Sequence, residues 1–371
     1  MAYEDRKVLF EKIEKVRNGR ALVCFFNFDR PSTPPIPGIA TQFHFEAKEP
    51  LFRVLKESKA TAKTGVDLCL YTRGGDTNSV WPIVSLLREF DPDFEVLVPF
   101  RCHSSGTLVA LGAKTIHLGP ISELSPIDPS TGNQFNPIDP TDATARMPIS
   151  VEDVQAYRNF LLDSMHERAG ERPPDRILPV YASLFQKLVN DVHPLALGNV
   201  YRVHQQIKKL GTSLLNLHAV KDRKVDDILD ALATRFFSHL HMINRQEAVE
   251  ILGGEQVKFA SEQLWDLLDE LMRAYEDQFA MRRTFFLSEH MGDKPEDTPR
   301  FVGGVIESRA WSYIFETKAK ISQSSKMPPN IQLQLPAGQR LPLIPGLPRE
   351  YHIEVGTQGW AHNKEPKGVT L

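Results

Sequence analysis

VDLCLYTRGGDTNSVWPIVSLLREFDPDFEVLVPFRCHSSGTLVALGAKTIHLG, residues 66–119, decides the fold of this chain. Three apolar runs, at 66–72, 94–100 and 114–119, have the length of buried strands. Residues 78–90 carry apolar side chains at helical spacing, and the small residues of SSGTLVALGA predict a second helix. Strand, helix, strand, helix, strand is typical of parallel βαβ units, so the sequence predicts an α/β fold.

Polar and glycine-rich segments follow each of these strands. They are TRGGD (72–76), HSSG (103–106) and SPIDP (125–129). The carboxyl ends of parallel strands meet at one edge of a sheet, and that edge is where open α/β folds place functional residues. We therefore expect the three segments to line one cleft.

Two serines stand where the second helix begins. The first N–H groups of a helix have no partner within it, so a serine hydroxyl there lies beside free amides. Such amides can bind the negative charge that develops on an attacked carbonyl oxygen, and the Gly74-Gly75 turn can supply another. The same residues also fit a helix cap and a plain turn, because serine and glycine are common at both.

The bulk composition is that of an ordinary globular protein. The chain has 371 residues, 41% of them hydrophobic, and a formal net charge of −3, which predicts no general affinity for nucleic acid. The amino-terminal residues have no apolar signal region, and no run is long enough to cross a membrane, so we expect a cytoplasmic protein.

We expect no cofactor and no metal site. Cys24, Cys69 and Cys102 are widely spaced within apolar runs, where cysteine is usually a small core residue. No G-x-G-x-x-G motif follows a strand, which argues against a dinucleotide.

Composition divides the chain into four parts. Residues 1–149 form the predicted α/β core, and residues 150–235 a mostly helical insertion. Residues 236–325 complete the core with helices and a long strand or hairpin. Residues 326–371 are rich in proline with little periodicity, which predicts an irregular tail.

Three segments resemble the serine dehydrogenase proteinase family. They are LYTRGGDTNSVWPIVSLLREF, CHSSGTLVALGAKTIHLGPISELSPIDP and FFSHLHMINRQEAVEILG. The resemblance is good over residues 20–140 and looser over 230–255 and 300–322. GGD, S-x-G-T-x-x-A-L-G-A and S-P-I-D-P in this order are fairly specific together, whereas each alone is weak.

This resemblance implies a core of the Clp-protease/crotonase-like superfamily, which also includes signal peptide peptidase A. It further implies a serine peptidase, often a homo-oligomer, that acts on a peptide or protein. Ser104 takes the place of the nucleophile, and the amides of Gly74 and Ser105 take that of the oxyanion hole.

The residues next to these positions are expected to line the cleft. They are Gly75, Asp76 and His103. Asp76 is better suited to cap the helix predicted at 78–90 than to act in catalysis. Neighbours on an extended chain point to opposite sides, which argues against His103 as the base for Ser104.

The resemblance does not identify the general base. In Clp-type enzymes the base is a histidine, and the corresponding position here is close to Asp128, where this sequence has no histidine. Signal peptide peptidases instead use a lysine from a later helix, but the helix predicted at 151–169 contains no lysine. Arginine cannot act as a base because it stays protonated in proteins. The candidates, in order, are His193, His239, Lys187 and Lys208.

Two other functions stay open. The absence of an obvious base fits a catalytically degenerate protein that binds peptides or signals through its helical insertion. The same core also serves acyl-CoA chemistry in crotonases, but that chemistry does not need the S-x-G serine, and the sequence has no evident adenine pocket.

Overall fold

The computed structural model describes most of the chain. The described residues are 2–127, 130–140, 142–151, 153–154, 156–157, 159–161, 163, 174–218, 224–234, 238, 240–327 and 341–363. Two of the predicted site residues, Asp128 and His239, lie outside these residues.

The helices lie mainly between the core strands and in the second half of the chain. They are α1 Tyr3–Val16, α2 Lys48–Glu57, α3 Val80–Phe90, α4 Ser105–Leu111, α5 Pro174–Asp191, α6 Pro194–Leu215, α7 Val225–Thr234, α8 Arg245–Leu252, α9 Glu262–Phe279 and α10 Leu287–Met291. Short 3-10 turns form at Phe45–Ala47 and Thr77–Ser79, and the described residues between 151 and 163 are helical. Within the described part of the chain, no helix has both the length and the apolar character needed to cross a bilayer.

The strands range from two-residue pairings to a long hairpin. They are β1 Ala21–Asn27, β2 Ser32–Thr33, β3 Val66–Tyr71, β4 Glu95–Val98, β5 Arg101–Cys102, β6 Thr115–Leu118, β7 Glu123–Leu124, β8 Ser130–Thr131, β9 Ile138–Asp139, β10 Asp142–Arg146, β11 Ile149–Ser150, β12 Ile243–Asn244, β13 Val257–Phe259, β14 Phe285–Phe286, β15 Glu296–Asp297, β16 Arg300–Glu307, β17 Ser312–Ser325 and β18 Arg349–His362.

A mixed sheet forms the centre of the molecule. Its order is β13-β6-β4-β3-β1-β16-β17-β15, with β18 also paired to β17. The five strands from β13 to β1 are mutually parallel, whereas β16, β17, β15 and β18 pair antiparallel. The predicted α/β fold of consecutive βαβ units is therefore confirmed.

The sheet is covered on both faces. Since successive residues of a strand point to opposite sides, each strand contributes side chains to both cores. In β1, Val23 and Phe25 join a core with α2, α3 and α4, whereas Cys24 and Phe26 join a core with α1 and α9. Buried parallel strands are apolar along their whole length for this reason, which explains the uniform runs in the sequence.

The segment after residue 326 differs from the irregular tail that its composition predicts. Residues 349–362 form β18, which pairs antiparallel with β17 along its full length. Several β18 positions are exposed, so the strand carries little apolar periodicity of its own. Pairing with β17 supplies the hydrogen bonds that sequence periodicity does not reveal.

Ion pairs also stabilise the sheet at positions other than the carboxyl ends of its parallel strands. Arg6 and Glu307 are both fully buried and pair at 2.8 Å, which joins α1 to β16. Burial alone raises the pKa of the Glu95 carboxyl at the start of β4. The hydrogen bond from His117 and the charge of Arg17 outweigh burial and lower that pKa to about 2.

Candidate active site

The twin-glycine turn and the S-x-G serine lie in direct contact. The backbone of Thr72 pairs with Cys102, and the amide of His103 donates to the carbonyl of Thr72 at 3.0 Å. A Cβ placed on Gly74 would lie 2.7 Å from the Cβ of Ser104 and 3.1 Å from its Oγ. The segments that follow β3 and β5 therefore converge, as the parallel topology predicts.

The backbone of Ser104 adopts a conformation that is rare for a residue with a side chain. Its φ is 51° and its ψ −111°, and α4 begins at the next residue. Strained conformations of this kind cluster at functional sites, because the surrounding structure must hold them in place. The same φ shows that Ser104 is not extended, so alternation along a strand does not decide where the side chain of His103 points.

Ser125 holds Ser104 in this conformation. The amide of Ser104 donates to Ser125 Oγ at 2.7 Å, and that hydroxyl donates to the carbonyl of Pro126. The Thr107 hydroxyl lies 2.9 Å from the carbonyl of Cys102 and accepts from the amide of Ser125 at 3.1 Å. Sequence reasoning placed Ser125 at the cleft but gave it no role, although its position after the third strand was the available signal.

Close packing requires a glycine at position 106, the last residue of the S-x-G motif. A Cβ on Gly106 would lie 2.6 Å from the Cγ2 of Thr72 and 3.1 Å from the Sγ of Cys102. Only glycine lets α4 approach the ends of the strands this closely. The approach brings the start of α4 against the glycine turn, so Gly106 positions Ser104 indirectly.

The amides of the glycine turn have different environments. The amide of Gly74 donates to Thr72 Oγ1 at 3.0 Å. Phe43 pairs with the turn through the Gly74 carbonyl and the Asp76 amide, so the N–H and C=O of Gly75 face away from Phe43.

Two amides of the segments around Ser104, those of Gly75 and Ser105, form no hydrogen bond within the described part of the chain. The carbonyl of Gly75 accepts from Ser105 Oγ at 2.8 Å, which places this residue against the start of α4. Among the described residues, no acceptor binds the amide of Gly75 or that of Ser105. Both N–H groups therefore lack an acceptor, and that of Ser105 belongs to a fully buried residue.

Asp76 and His103 contact other side chains at the rim of the site. The Asp76 carboxylate accepts from the Asn78 amide at 2.9 Å and caps the short turn before α3. His103 Nε2 lies 3.0 Å from Glu123, which also lies 3.3 Å from Arg101. Burial raises the pKa of Glu123, although the positive charge of Arg101 opposes this effect.

None of the predicted bases that lie among the described residues, His193, Lys187 and Lys208, forms a hydrogen bond with Ser104. His193 caps α6, because its Nδ1 accepts from the amide of Leu195 at 3.1 Å, and its ring stacks on Phe135. Lys208 pairs with Asp230 at 2.6 Å. No described residue forms a hydrogen bond with the Ser104 hydroxyl.

Comparison with protein-family models finds no family that matches this chain, and comparison with curated proteins finds no matching relative. Among solved structures, the chain is similar to two forms of the 1510-N membrane-bound stomatin-specific protease. A lysine-to-alanine mutant in complex with a substrate peptide is 14% identical over 60% of this chain and 74% of its own, with a TM-score of 0.34. A serine-to-alanine mutant is 12% identical over 66% of this chain and 92% of its own, also with a TM-score of 0.34. Similarity of this extent assigns no residue of this chain a role.

Proposed function

We propose that the chain is a serine peptidase of the Clp-protease/crotonase-like superfamily, with Ser104 as its nucleophile. The observation that carries the proposal is the contact between Ser104 and the glycine turn, together with amides of Gly75 and Ser105 that have no acceptor among the described residues. An acyl-transfer site needs this combination of a hydroxyl and two N–H donors.

The proposed reaction begins with attack of Ser104 Oγ on the carbonyl carbon of a peptide bond. The π electrons of that carbonyl move to its oxygen, which accepts hydrogen bonds from the amides of Gly75 and Ser105. A base removes the serine proton and returns it to the leaving amine when the C–N bond breaks. Water then attacks the acyl ester and releases the acid.

Within this proposal, the oxyanion hole uses Gly75 rather than the sequence-predicted Gly74. Gly74 contributes differently: its amide is bonded to Thr72, and its lack of a side chain leaves room for Ser104. Ser105 keeps its predicted role. For the base, His193 and His239 stay predictions, as does the placement of Asp128 in the cleft.

A catalytically degenerate, peptide-binding protein is the second candidate function. It is favoured by one observation, that no described residue forms a hydrogen bond with the Ser104 hydroxyl. A serine needs an adjacent base for full reactivity at neutral pH, so a degenerate protein would bind substrate without acylation.

Labelling with a fluorophosphonate probe distinguishes the two functions. We expect the wild-type protein to form an adduct that peptide mapping places on Ser104. Ser104→Ala should abolish labelling with an unchanged circular dichroism spectrum, whereas Ser288→Ala, which removes the hydroxyl of an exposed serine in α10, should keep it. A wild-type protein that stays unlabelled but binds peptides would favour the degenerate function, and an adduct on Ser105 would move the nucleophile.

A further inference from the structure

An open cavity lies beside the segment that pairs with the glycine turn. Its volume is about 310 Å³, and its walls come from residues 40–42, 44 and 46 and from the neighbouring strands β17 and β18. The residues whose side chains give the cavity its chemistry are Gln42, His44, Glu46, Phe315, Gln358 and Trp360. None of them belongs to the proposed acyl-transfer site.

The cavity is within reach of a peptide bound at Ser104. Gln42 and His44 flank Phe43, which pairs with Gly75, and neighbouring paired chains lie about 5 Å apart. The glycine turn in turn contacts Ser104 through Gly74. The backbone of Phe43, next to the cavity residues Gln42 and His44, is thus about 10 Å from the nucleophile, which an extended peptide spans in about three residues.

The cavity combines aromatic surface with one negative charge. The rings of Trp360 and Phe315 pack edge to face, with centroids 5.5 Å apart, and Trp360 also packs on the buried Phe25. This packing fixes the aromatic surface before any ligand binds. Glu46 is exposed and forms no ion pair with any described residue, so its carboxylate is free to meet a cation.

Arginine and lysine fit this combination better than other side chains. Their long apolar stems can lie on the aromatic rings, and their charged ends can reach the carboxylate. The amide side chains of Gln42 and Gln358 add hydrogen-bond acceptors at the rim. An acidic side chain would meet the same charge without compensation.

We propose that this cavity is a specificity pocket for a basic side chain, two to four residues from the scissile bond of a peptide substrate. The proposal rests on the proposed peptidase function, since it places the pocket relative to Ser104. Glu46 supplies the charge selectivity, and Trp360 with Phe315 supplies the surface for the side-chain stem.

Binding to the Ser104→Ala protein tests the pocket separately from catalysis. Peptides are titrated in pairs that differ at one position, which holds arginine in one peptide and its neutral analogue citrulline in the other. In successive pairs this position lies two, three or four residues from a fixed central bond. At one placement, Glu46→Lys should weaken binding of the arginine peptide about fivefold or more and that of the citrulline peptide less than twofold. Glu49→Lys, which makes the same charge change outside the cavity, should alter neither.

The outcomes separate the pocket from the peptidase function. Equal weakening of both peptides by Glu46→Lys, or no weakening at any placement, overturns the pocket even where Ser104 of the wild type is labelled by fluorophosphonate. Selective weakening supports it, and it would do so even if the wild-type protein stayed unlabelled, in which case hydrolysis alone would fail. Where the wild-type protein is labelled, profiling of cleavage sites in a peptide library should show basic residues enriched in the wild type and lost in Glu46→Lys.

Discussion

Replacing Gly74 by alanine should disable Ser104 without a direct change to it. The φ of Gly74 is +100°, and a left-handed backbone costs a residue with a Cβ about 1–2 kcal/mol. The new Cβ would also lie 2.7 Å from the Cβ of Ser104, whereas carbon atoms in contact prefer about 3.5–4.0 Å. Relief of this contact requires Ser104 to move by about 1 Å.

A displacement of this size at a nucleophile lowers the reaction rate about 100-fold. We therefore expect Gly74→Ala to lower the second-order rate constant of fluorophosphonate labelling about 100-fold. Its free energy of unfolding in urea should fall by about 1–2 kcal/mol or somewhat more, because the strain of the backbone adds to the close contact.

Gly19→Ala is the matched control for backbone strain. Gly19 has a φ of +81°, but a Cβ there has no atom within 4 Å. The control should therefore lose a similar free energy of unfolding and keep the wild-type labelling rate. If Gly74→Ala is destabilised and still labelled at the wild-type rate, the glycine turn does not determine the position of Ser104 and the reasoning is refuted.

Three other perturbations test the surroundings of the site and the sheet. Ser125→Ala removes the acceptor of the Ser104 amide, so labelling should slow about tenfold while Ser125→Thr, which keeps a hydroxyl, restores part of the rate; an unchanged rate in the alanine variant would contradict this role. Glu307→Gln leaves the buried charge of Arg6 without its counter-ion, so chemical denaturation should show a loss of about 3–5 kcal/mol, and a loss under 1 kcal/mol would contradict a buried pair. Because the pKa of Glu95 is lowered from 4.5 to about 2, its contribution to stability is complete above pH 4.5 and lost as the pH falls toward 2. In Glu95→Gln the free energy of unfolding in urea should therefore depend less on pH across that range, and an unchanged dependence would contradict the lowered pKa.

The sequence was sufficient for the parallel core and for the meeting of Ser104 with the glycine turn. Strands buried on both faces must be apolar throughout, so β3, β4 and β6 are visible as uniform runs. Once these strands are parallel, the segments after them lie at one edge by geometry alone. No long-range detail was needed for this part of the site.

The different hydrogen bonding of the Gly74 and Gly75 amides could not be predicted. It depends on the rotamer of Thr72, whose hydroxyl accepts from Gly74, and on the pairing of Phe43 from a distant segment. Similarly, β18 is stabilised by hydrogen bonds to β17 rather than by its own apolar pattern.

A crystal structure of the phosphonate adduct tests the central claim most directly. The account predicts a bond from phosphorus to Ser104 Oγ, with a phosphoryl oxygen about 2.7–3.1 Å from the amide nitrogens of Gly75 and Ser105. A phosphoryl oxygen directed away from both amides, or an adduct on another residue, would contradict it.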